Sequence, residues 1–171
     1  YYKVQSGLGF RQSPADYGAF PADAYSHTPS HSGACQPGLT GMVKEGIICR
    51  FLELGVDFNQ GCICFRPSIL RSAELTTEEQ QTELIAKEGT AKTIGVPAES
   101  LLFTFAQTPV VYQRSESIYP KIEIFLNDGT QRTLDSDTLD AEFSEAIVSR
   151  KGPIQHIVVH QPADRFITIN D

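Results

Sequence analysis

Short runs of alternating polar and apolar residues, separated by turn signals, fill the chain after residue 55. Residues 121–126 alternate in this way, and the Asn127-Asp128-Gly129 that follows is a strong β-hairpin turn. Because successive side chains of a strand point to opposite faces, such runs fold into sheets with one buried face. Similar runs predict an antiparallel, β-rich domain, and they occupy residues 56–58, 62–65, 83–87, 91–96, 101–106, 110–113, 130–134 and 154–160.

Two stretches break this pattern with helical periodicity. Residues 40–54 carry a wide apolar stripe and are followed by Gly55, which suits the left-handed position just beyond a helix. The stripe is wide enough to need burial on most sides, more than a domain made only of the strands that follow is expected to provide. The second stretch, about residues 138–150, would be capped by Asp137 or Thr138. The predicted fold class is therefore α+β and β-rich, with antiparallel sheets and two main helices.

The charge balance narrows the function classes. The 171 residues contain 14 Lys and Arg against 21 Asp and Glu, a net charge of −7, without a basic cluster. Since phosphate binding needs clustered Lys and Arg, we expect no nucleic-acid partner and no membrane partner. No apolar run approaches the roughly 20 residues that span a bilayer, so the sequence predicts a soluble protein, cytoplasmic or periplasmic.

The start of the chain predicts a larger protein. Residue 1 is Tyr1 and the single methionine is Met42, which indicates a removed leader or a piece cut from a longer polypeptide. Residues 1–38 are rich in Gly, Pro, Ser and aromatic side chains, whereas disordered tails are depleted in aromatics. We therefore expect residues 1–55 to form the end of a larger helical domain and residues 56–171 to form a β-rich C-terminal domain.

Residues 16–36 concentrate the side chains that build binding sites. His27 and His31 have a spacing used by metal ligands on a helix face, but Pro29 between them breaks a helix. The segment predicts either a loop that lines a ligand cleft or a loop whose polar groups bond to one another. The candidate substrate-binding residues are Asp16, Tyr17, Asp23, Tyr25, His27, His31 and Gln36.

The cysteines and carboxylates predict neither a metal site nor a cofactor. The four cysteines include no CxxC pair and are interpreted as reduced, and a zinc site at Cys62 and Cys64 lacks the usual spacing. Glu45 and Glu53 lie on one helix, and a rise of about 1.5 Å per residue separates them by about 12 Å. That distance exceeds both glycosidase geometries, so the catalytic residues stay unassigned.

The histidines of the last predicted strand were the other candidates for chemistry. His156 and His160 share one face of that strand and are interpreted as structural or exposed. The sequence contains no nucleophile elbow, P-loop, dinucleotide fingerprint or zinc-protease motif. No general catalytic motif therefore assigns a reaction to this chain.

Three segments of the chain form a familiar order: His27-Thr28-Pro29-Ser30-His31-Ser32-Gly33-Ala34, the helix of residues 41–54 with Leu54-Gly55-Val56, and Gly61-Cys62-Ile63-Cys64-Phe65-Arg66-Pro67. Together they resemble the C-terminal end of six-hairpin, (α/α)₆-barrel glycosidases and related sugar phosphorylases. The resemblance implies that the last barrel helix and a small β-rich domain are present here. It also implies that the general acid lies in an N-terminal region of the same polypeptide. No catalytic motif of those families matches this chain.

The resemblance implies a C-terminal fragment of a carbohydrate-active enzyme, a glycoside hydrolase or phosphorylase that is not active alone. Its partners would be a carbohydrate and the N-terminal region of the same polypeptide. One alternative is a stand-alone β-rich binding or interaction module without catalysis. Another is a small metal-dependent enzyme that uses His27, His31 and a cysteine or aspartate. The first helix separates the first two hypotheses, because an exposed apolar face would indicate a missing partner surface.

Overall fold

The computed structural model describes residues 1–7, 42–85 and 89–169. The chain divides into two compact units, Tyr1–Arg50 and Phe51–Asp171. The predicted α+β, β-rich class is confirmed, since the described residues form more strand than helix and the sheets are mostly antiparallel. Within the described ranges the helices are α1 (Tyr2–Gly7), α2 (Met42–Leu54) and α3 (Ala141–Val148).

The strands are short, and most occupy positions that the alternating runs predict. They are β1 (Val56–Asn59), β2 (Cys62–Phe65), β3 (Leu70–Arg71), β4 (Gln80–Ile85), β5 (Ala91–Val96), β6 (Ser100–Phe105), β7 (Thr108–Ser115), β8 (Lys121–Leu126), β9 (Gln131–Leu134), β10 (Ile154–Pro162) and β11 (Phe166–Ile167). The two-residue strands at Leu70–Arg71 and Phe166–Ile167 have no predicted counterpart, and the strand predicted at 83–87 begins at Gln80. Single turns of 3₁₀ helix occupy Ser72–Glu74 and Ala163–Arg165.

The largest sheet has five strands in the order β6-β7-β10-β8-β9. Strands β7 and β10 run parallel, whereas the other neighbours in this sheet are antiparallel. The parallel pair requires a crossover, and β8, β9 and α3 supply it between β7 and β10 along the chain. Two-stranded sheets pair β1 with β2, β4 with β5 and, in parallel, β3 with β11.

One face of the five-stranded sheet carries the hydrophobic core. The β1–β2 hairpin and α3 contribute the apolar side chains that cover this face. Tyr112 lies fully buried among them, with its ring edge-on to Phe65 and Phe103. Its hydroxyl donates a hydrogen bond of 2.7 Å to the carbonyl of Leu54, at the end of α2. Burial raises the pKa of the Tyr112 phenol well above its usual value, so the hydroxyl stays protonated as this donor.

The end of α2 matches the sequence prediction. Gly55 adopts a φ of +61°, the left-handed conformation expected of the residue just beyond a helix. A Cβ at this position would collide with the backbone of Arg66, whose amide donates to the Gly55 carbonyl at 2.7 Å. Glycine is therefore required here both by conformation and by the close approach of a second segment.

The predicted start of α3 is wrong by about three residues. The N-cap is Asp140, whose carboxylate accepts from the amide of Phe143 at 3.1 Å. Asp137 and Thr138 are not available as caps, because this segment pairs with β2 through a bridge between Cys64 and Thr138. In addition, Arg66 holds the Asp137 carboxylate in a two-pronged ion pair at 2.9 and 3.0 Å.

The described residues cover only part of the apolar stripe of α2, as expected if the strands that follow are too few to bury it. Leu54 at its end is buried in the core, but Ile47, Ile48, Phe51 and Leu52 are 39% to 60% exposed. Apolar periodicity identifies a face that avoids water without identifying the element that covers it. Within the described ranges, none of the helices has the length and apolar character needed to cross a bilayer.

Candidate functional site

The substrate-binding residues that the sequence predicts all lie outside the described residues. They are Asp16, Tyr17, Asp23, Tyr25, His27, His31 and Gln36. Of the possible zinc ligands, Cys62 and Cys64 are free thiols, as is Cys49. In the part of the chain that the structure describes, no three His, Cys, Asp or Glu side chains form a metal-ligating group.

The face of the five-stranded sheet opposite the core carries both polar and apolar side chains, and Val111 on it is buried. Along β10, Ile157 and Val159 point into the core, while His156 and His160 point to the other side. The register places His160 opposite Lys121 on β8 and opposite Gln113 on β7. We call this side the outer face, and its polar side chains are the strongest candidates for recognition in the described residues.

A hydrogen-bonded cluster of three side chains forms the centre of the outer face. Lys121 Nζ donates to Glu123 Oε1 at 2.7 Å, and His160 Nε2 lies 3.0 Å from Glu123 Oε2. Strand geometry explains the first contact, because residues two apart on β8 share a face. The second contact crosses from β8 to β10, so it depends on the register of the sheet.

Glu123 is ionised in this cluster. Burial opposes its ionisation, but the hydrogen bonds from Lys121 and His160 outweigh that effect and lower the pKa of the Glu123 carboxyl. A carboxylate only accepts hydrogen bonds, so His160 donates from Nε2. In the neutral imidazole this leaves Nδ1 as an acceptor for another group.

A cavity of about 610 Å³ opens beside this cluster. Its wall is completed by the loop between β7 and β8, where Tyr119 is 73% exposed. Serine hydroxyls hold the loop: Ser115 Oγ accepts from the Ser117 amide, and Ser117 Oγ accepts from the Tyr119 amide, both at 3.1 Å. The lining residues are Ser115, Ser117, Tyr119, Pro120, Lys121, Asp135 and His160.

A smaller cavity of about 330 Å³ involves the opposite end of β10. Leu84 and Ile94 of the β4–β5 hairpin line it together with His156. The His156 ring stacks on Phe125 at 4.3 Å, with the two planes only 5° apart. Burial lowers the pKa of this imidazole, so His156 is neutral at neutral pH and serves mainly as a packed ring.

Sequence reasoning placed His156 and His160 on one face but missed the partners of His160. The only available signal was local, the Lys121-Ile122-Glu123 pattern that puts a cation and a carboxylate on the same side of β8. Nothing in the sequence indicates that β10 pairs with β8, and this pairing is what builds the cluster.

No protein-family model matches this chain, and a search of curated proteins finds no match either. No residue roles can therefore be transferred from related proteins, and the function is argued from the geometry and chemistry of this chain.

Proposed function

We propose that this chain is the C-terminal part of a carbohydrate-active enzyme of the six-hairpin type, either a glycoside hydrolase or a sugar phosphorylase. In this proposal α2 is the last helix of an (α/α)₆ barrel, and residues 56–171 form the β-rich domain that follows it. The catalytic groups belong to the N-terminal region of the same polypeptide. The chain by itself is therefore catalytically silent.

The observation that carries the proposal is an exposed apolar stripe on α2. It consists of Ile47, Ile48, Phe51 and Leu52, whose spacing places them on one side of the helix. Full burial of such a side chain is worth about 1.5–3 kcal/mol, so leaving a whole stripe in water is costly. Packing against neighbouring barrel helices would bury it, which supports a helical domain of the same polypeptide as the covering surface.

The stripe continues beyond the helix. The ring of Phe51 meets Phe105 edge-on at 5.7 Å, and Phe105 in turn lies 6.2 Å from the ring of Phe58. Phe58 is itself half exposed. The apolar surface is thus shared between α2, the β1 strand and the end of β6, as a surface that docks on a second domain would be.

Residues 16–36 supply the sugar-binding chemistry in this proposal. Carboxylates, imidazoles and an amide offer the hydrogen-bond donors and acceptors that sugar hydroxyls need. Aromatic rings offer apolar faces for the C–H groups of a sugar ring. The residues concerned are Asp16, Tyr17, Asp23, Tyr25, His27, His31 and Gln36.

The test compares the 171-residue chain with the polypeptide that the complete gene encodes. We expect the sequence upstream of Tyr1 to encode alternating helical hairpins, and the complete polypeptide to hydrolyse or phosphorolyse glycosides. The 171-residue chain should show no such activity. Activity of the isolated chain at a rate near that of the complete polypeptide would contradict the proposal, as would an upstream sequence without helical hairpins.

The stand-alone interaction module is the alternative from a different class. It requires α2 to be buried within a compact monomer, and the exposed stripe argues against that requirement. An outcome in which the complete gene encodes only this chain, and in which the chain captures a protein partner through α2, would favour the module.

A further inference from the structure

We propose that the cavity beside Tyr119 on the outer face is a binding site for a neutral saccharide. Its lining residues all belong to the β-rich unit Phe51–Asp171. The inference does not rest on the proposed enzymatic function, because a sugar-binding module without catalysis would use the same groups. Four observations support it: an exposed ring, the donor and acceptor set, the charge balance and the cavity size.

The exposed ring is Tyr119, which is 73% exposed at the rim of the cavity. Its position is held by hydrogen bonds in the loop, since the Ser117 hydroxyl donates to the Tyr119 carbonyl at 3.0 Å. A tyrosine ring presents an apolar face and a polar tip. A sugar ring, with C–H groups on its faces and hydroxyls on its edge, complements both.

The donors and acceptors around the cavity match hydroxyl groups. Glu123 uses one of the three ammonium hydrogens of Lys121, which leaves donors for a ligand. On the other side, the Asp135 carboxylate lines the cavity as an acceptor, beside the imidazole of His160. A sugar hydroxyl can donate and accept hydrogen bonds at the same time. A mixed set of donors and acceptors therefore suits a sugar better than a ligand group that can only accept.

The charge balance does not favour an anionic ligand. Lys121 and Asp135 are the oppositely charged lining residues, and the Glu123 carboxylate, which does not itself line the cavity, pairs with Lys121. Lys121 already lies 2.7 Å from Glu123, so its charge is locally compensated. A phosphate or a sugar acid would meet net repulsion here, whereas a neutral saccharide would not.

The size of the cavity is also suitable for a small saccharide. Its volume of about 610 Å³ is adequate for a mono- or disaccharide. Ligand pockets generally fall between about 300 and 1,000 Å³ and carry a small number of placed polar groups. The Lys121, Glu123 and His160 cluster provides such groups on strands, which hold them more rigidly than a loop would.

The experiment titrates the 171-residue chain with cellobiose, maltose, lactose and xylobiose, followed by amide chemical shifts and by calorimetry. We expect at least one of these to bind and to perturb the amides of Tyr119, Lys121 and His160. Inorganic phosphate and glucuronate serve as anionic controls and should leave those amides unchanged. Binding of the anions but of none of the neutral sugars would overturn the proposal.

The matched variants are Tyr119→Ala and Ile118→Ala. Ile118 is its neighbour in the same loop and is also exposed, but it does not line the cavity. Loss of the stacking ring should weaken binding about tenfold or more, by analogy with base stacking on aromatic side chains. Asp135→Asn provides a second test, and its affinity should fall while its unfolding midpoint is unchanged. Affinity that survives both changes would overturn the proposal.

Failure of this site can be distinguished from failure of the proposed function. Sugar-induced shifts confined to residues 16–36 would overturn the outer-face site while supporting the sugar-binding segment. If the complete gene encodes no helical hairpins but sugars still shift the amide signals of Tyr119 and His160, the outer-face site would stand and the proposed enzymatic function would not.

Discussion

At the residue scale, single side chains join segments that are far apart in the chain. The side-chain amide of Gln161, on β10, donates from Nε2 to the backbone carbonyl of Phe65 at 2.8 Å. The hydroxyl of Tyr112 donates to the backbone carbonyl of Leu54. Both donors are fully buried, and both satisfy backbone acceptors that the hairpin and helix ends leave open. Such a hydrogen bond adds only modestly to stability. Removing one partner is more costly, because it leaves the other polar group buried without a hydrogen bond.

Tyr112→Phe tests this asymmetry. The change removes the donor to the Leu54 carbonyl and leaves that acceptor without its tyrosine partner. We expect the free energy of unfolding to fall by about 1–3 kcal/mol, as measured by urea denaturation. Tyr119→Phe is the control and should leave stability unchanged, because its ring is exposed. Equal stability of the Tyr112→Phe variant and the parent would show that this bond contributes nothing.

His156 is expected to make stability depend on pH. Because burial lowers its pKa, the unfolded chain takes up a proton near pH 6.5 while the folded chain does not. Its contribution is therefore present above about pH 6.5 and decreases as the pH falls from there toward the folded pKa. His156→Gln should lose less stability than the parent between about pH 7.5 and pH 5.5 in denaturant titrations. Identical pH dependence in the two proteins would contradict this assignment.

At the element scale, turn chemistry accounts for where the elements end. The hairpin turn of β1 and β2 places Gln60 and Gly61 at positive φ, and Gly129 does the same between β8 and β9. Gly129 lies in the predicted Asn127-Asp128-Gly129 turn, and such turns are predictable because positive φ favours a few residue types. The start of α3 could not be predicted in the same way, since three nearby polar residues can cap a helix. The choice of Asp140 depends on Asp137 being held by Arg66, a residue more than 70 positions earlier.

Gly55→Ala tests the junction between α2 and the β1–β2 hairpin. An alanine at positive φ costs about 1–2 kcal/mol through its backbone conformation. At Gly55 the added Cβ also collides with the Arg66 backbone, whereas at Gly129 it meets open space. We therefore expect Gly55→Ala to destabilise the protein more than Gly129→Ala in urea unfolding. Equal losses would mean that the backbone of Arg66 moves aside without cost.

At the scale of the whole molecule, hydrophobic surface is divided between a completed core and an uncovered stripe. The core of the β-rich unit is closed by α3 and the β1–β2 hairpin, with Ile63, Ile122 and Ile157 fully buried. In the part of the chain that the structure describes, the stripe on α2 is exposed to solvent. The sequence predicted both surfaces as apolar, but it could not indicate which of them the chain itself would cover.

Ile48→Lys tests the role of the uncovered stripe. If the helical domain of a longer polypeptide covers it, the charge should destabilise that polypeptide by about 2 kcal/mol, the value of one buried aliphatic side chain. The same change should leave the stability of the 171-residue chain unaltered, because Ile48 is exposed there. Ile118→Lys is the control, an exposed loop position outside the stripe that should be neutral in both proteins. An Ile48→Lys polypeptide as stable as its parent would argue against a covering domain.

The sequence by itself determined the positions of most elements and the alternation of side chains along most strands. Periodicity and turn chemistry are local, so a few neighbouring residues suffice to specify them. Only the tertiary structure decided that β10 lies between β7 and β8, which brings His160 to Glu123 and Lys121. It also decided that the apolar stripe of α2 stays exposed. The physical reason is that strand order and coverage depend on contacts between residues far apart in the chain, and no local pattern encodes such contacts.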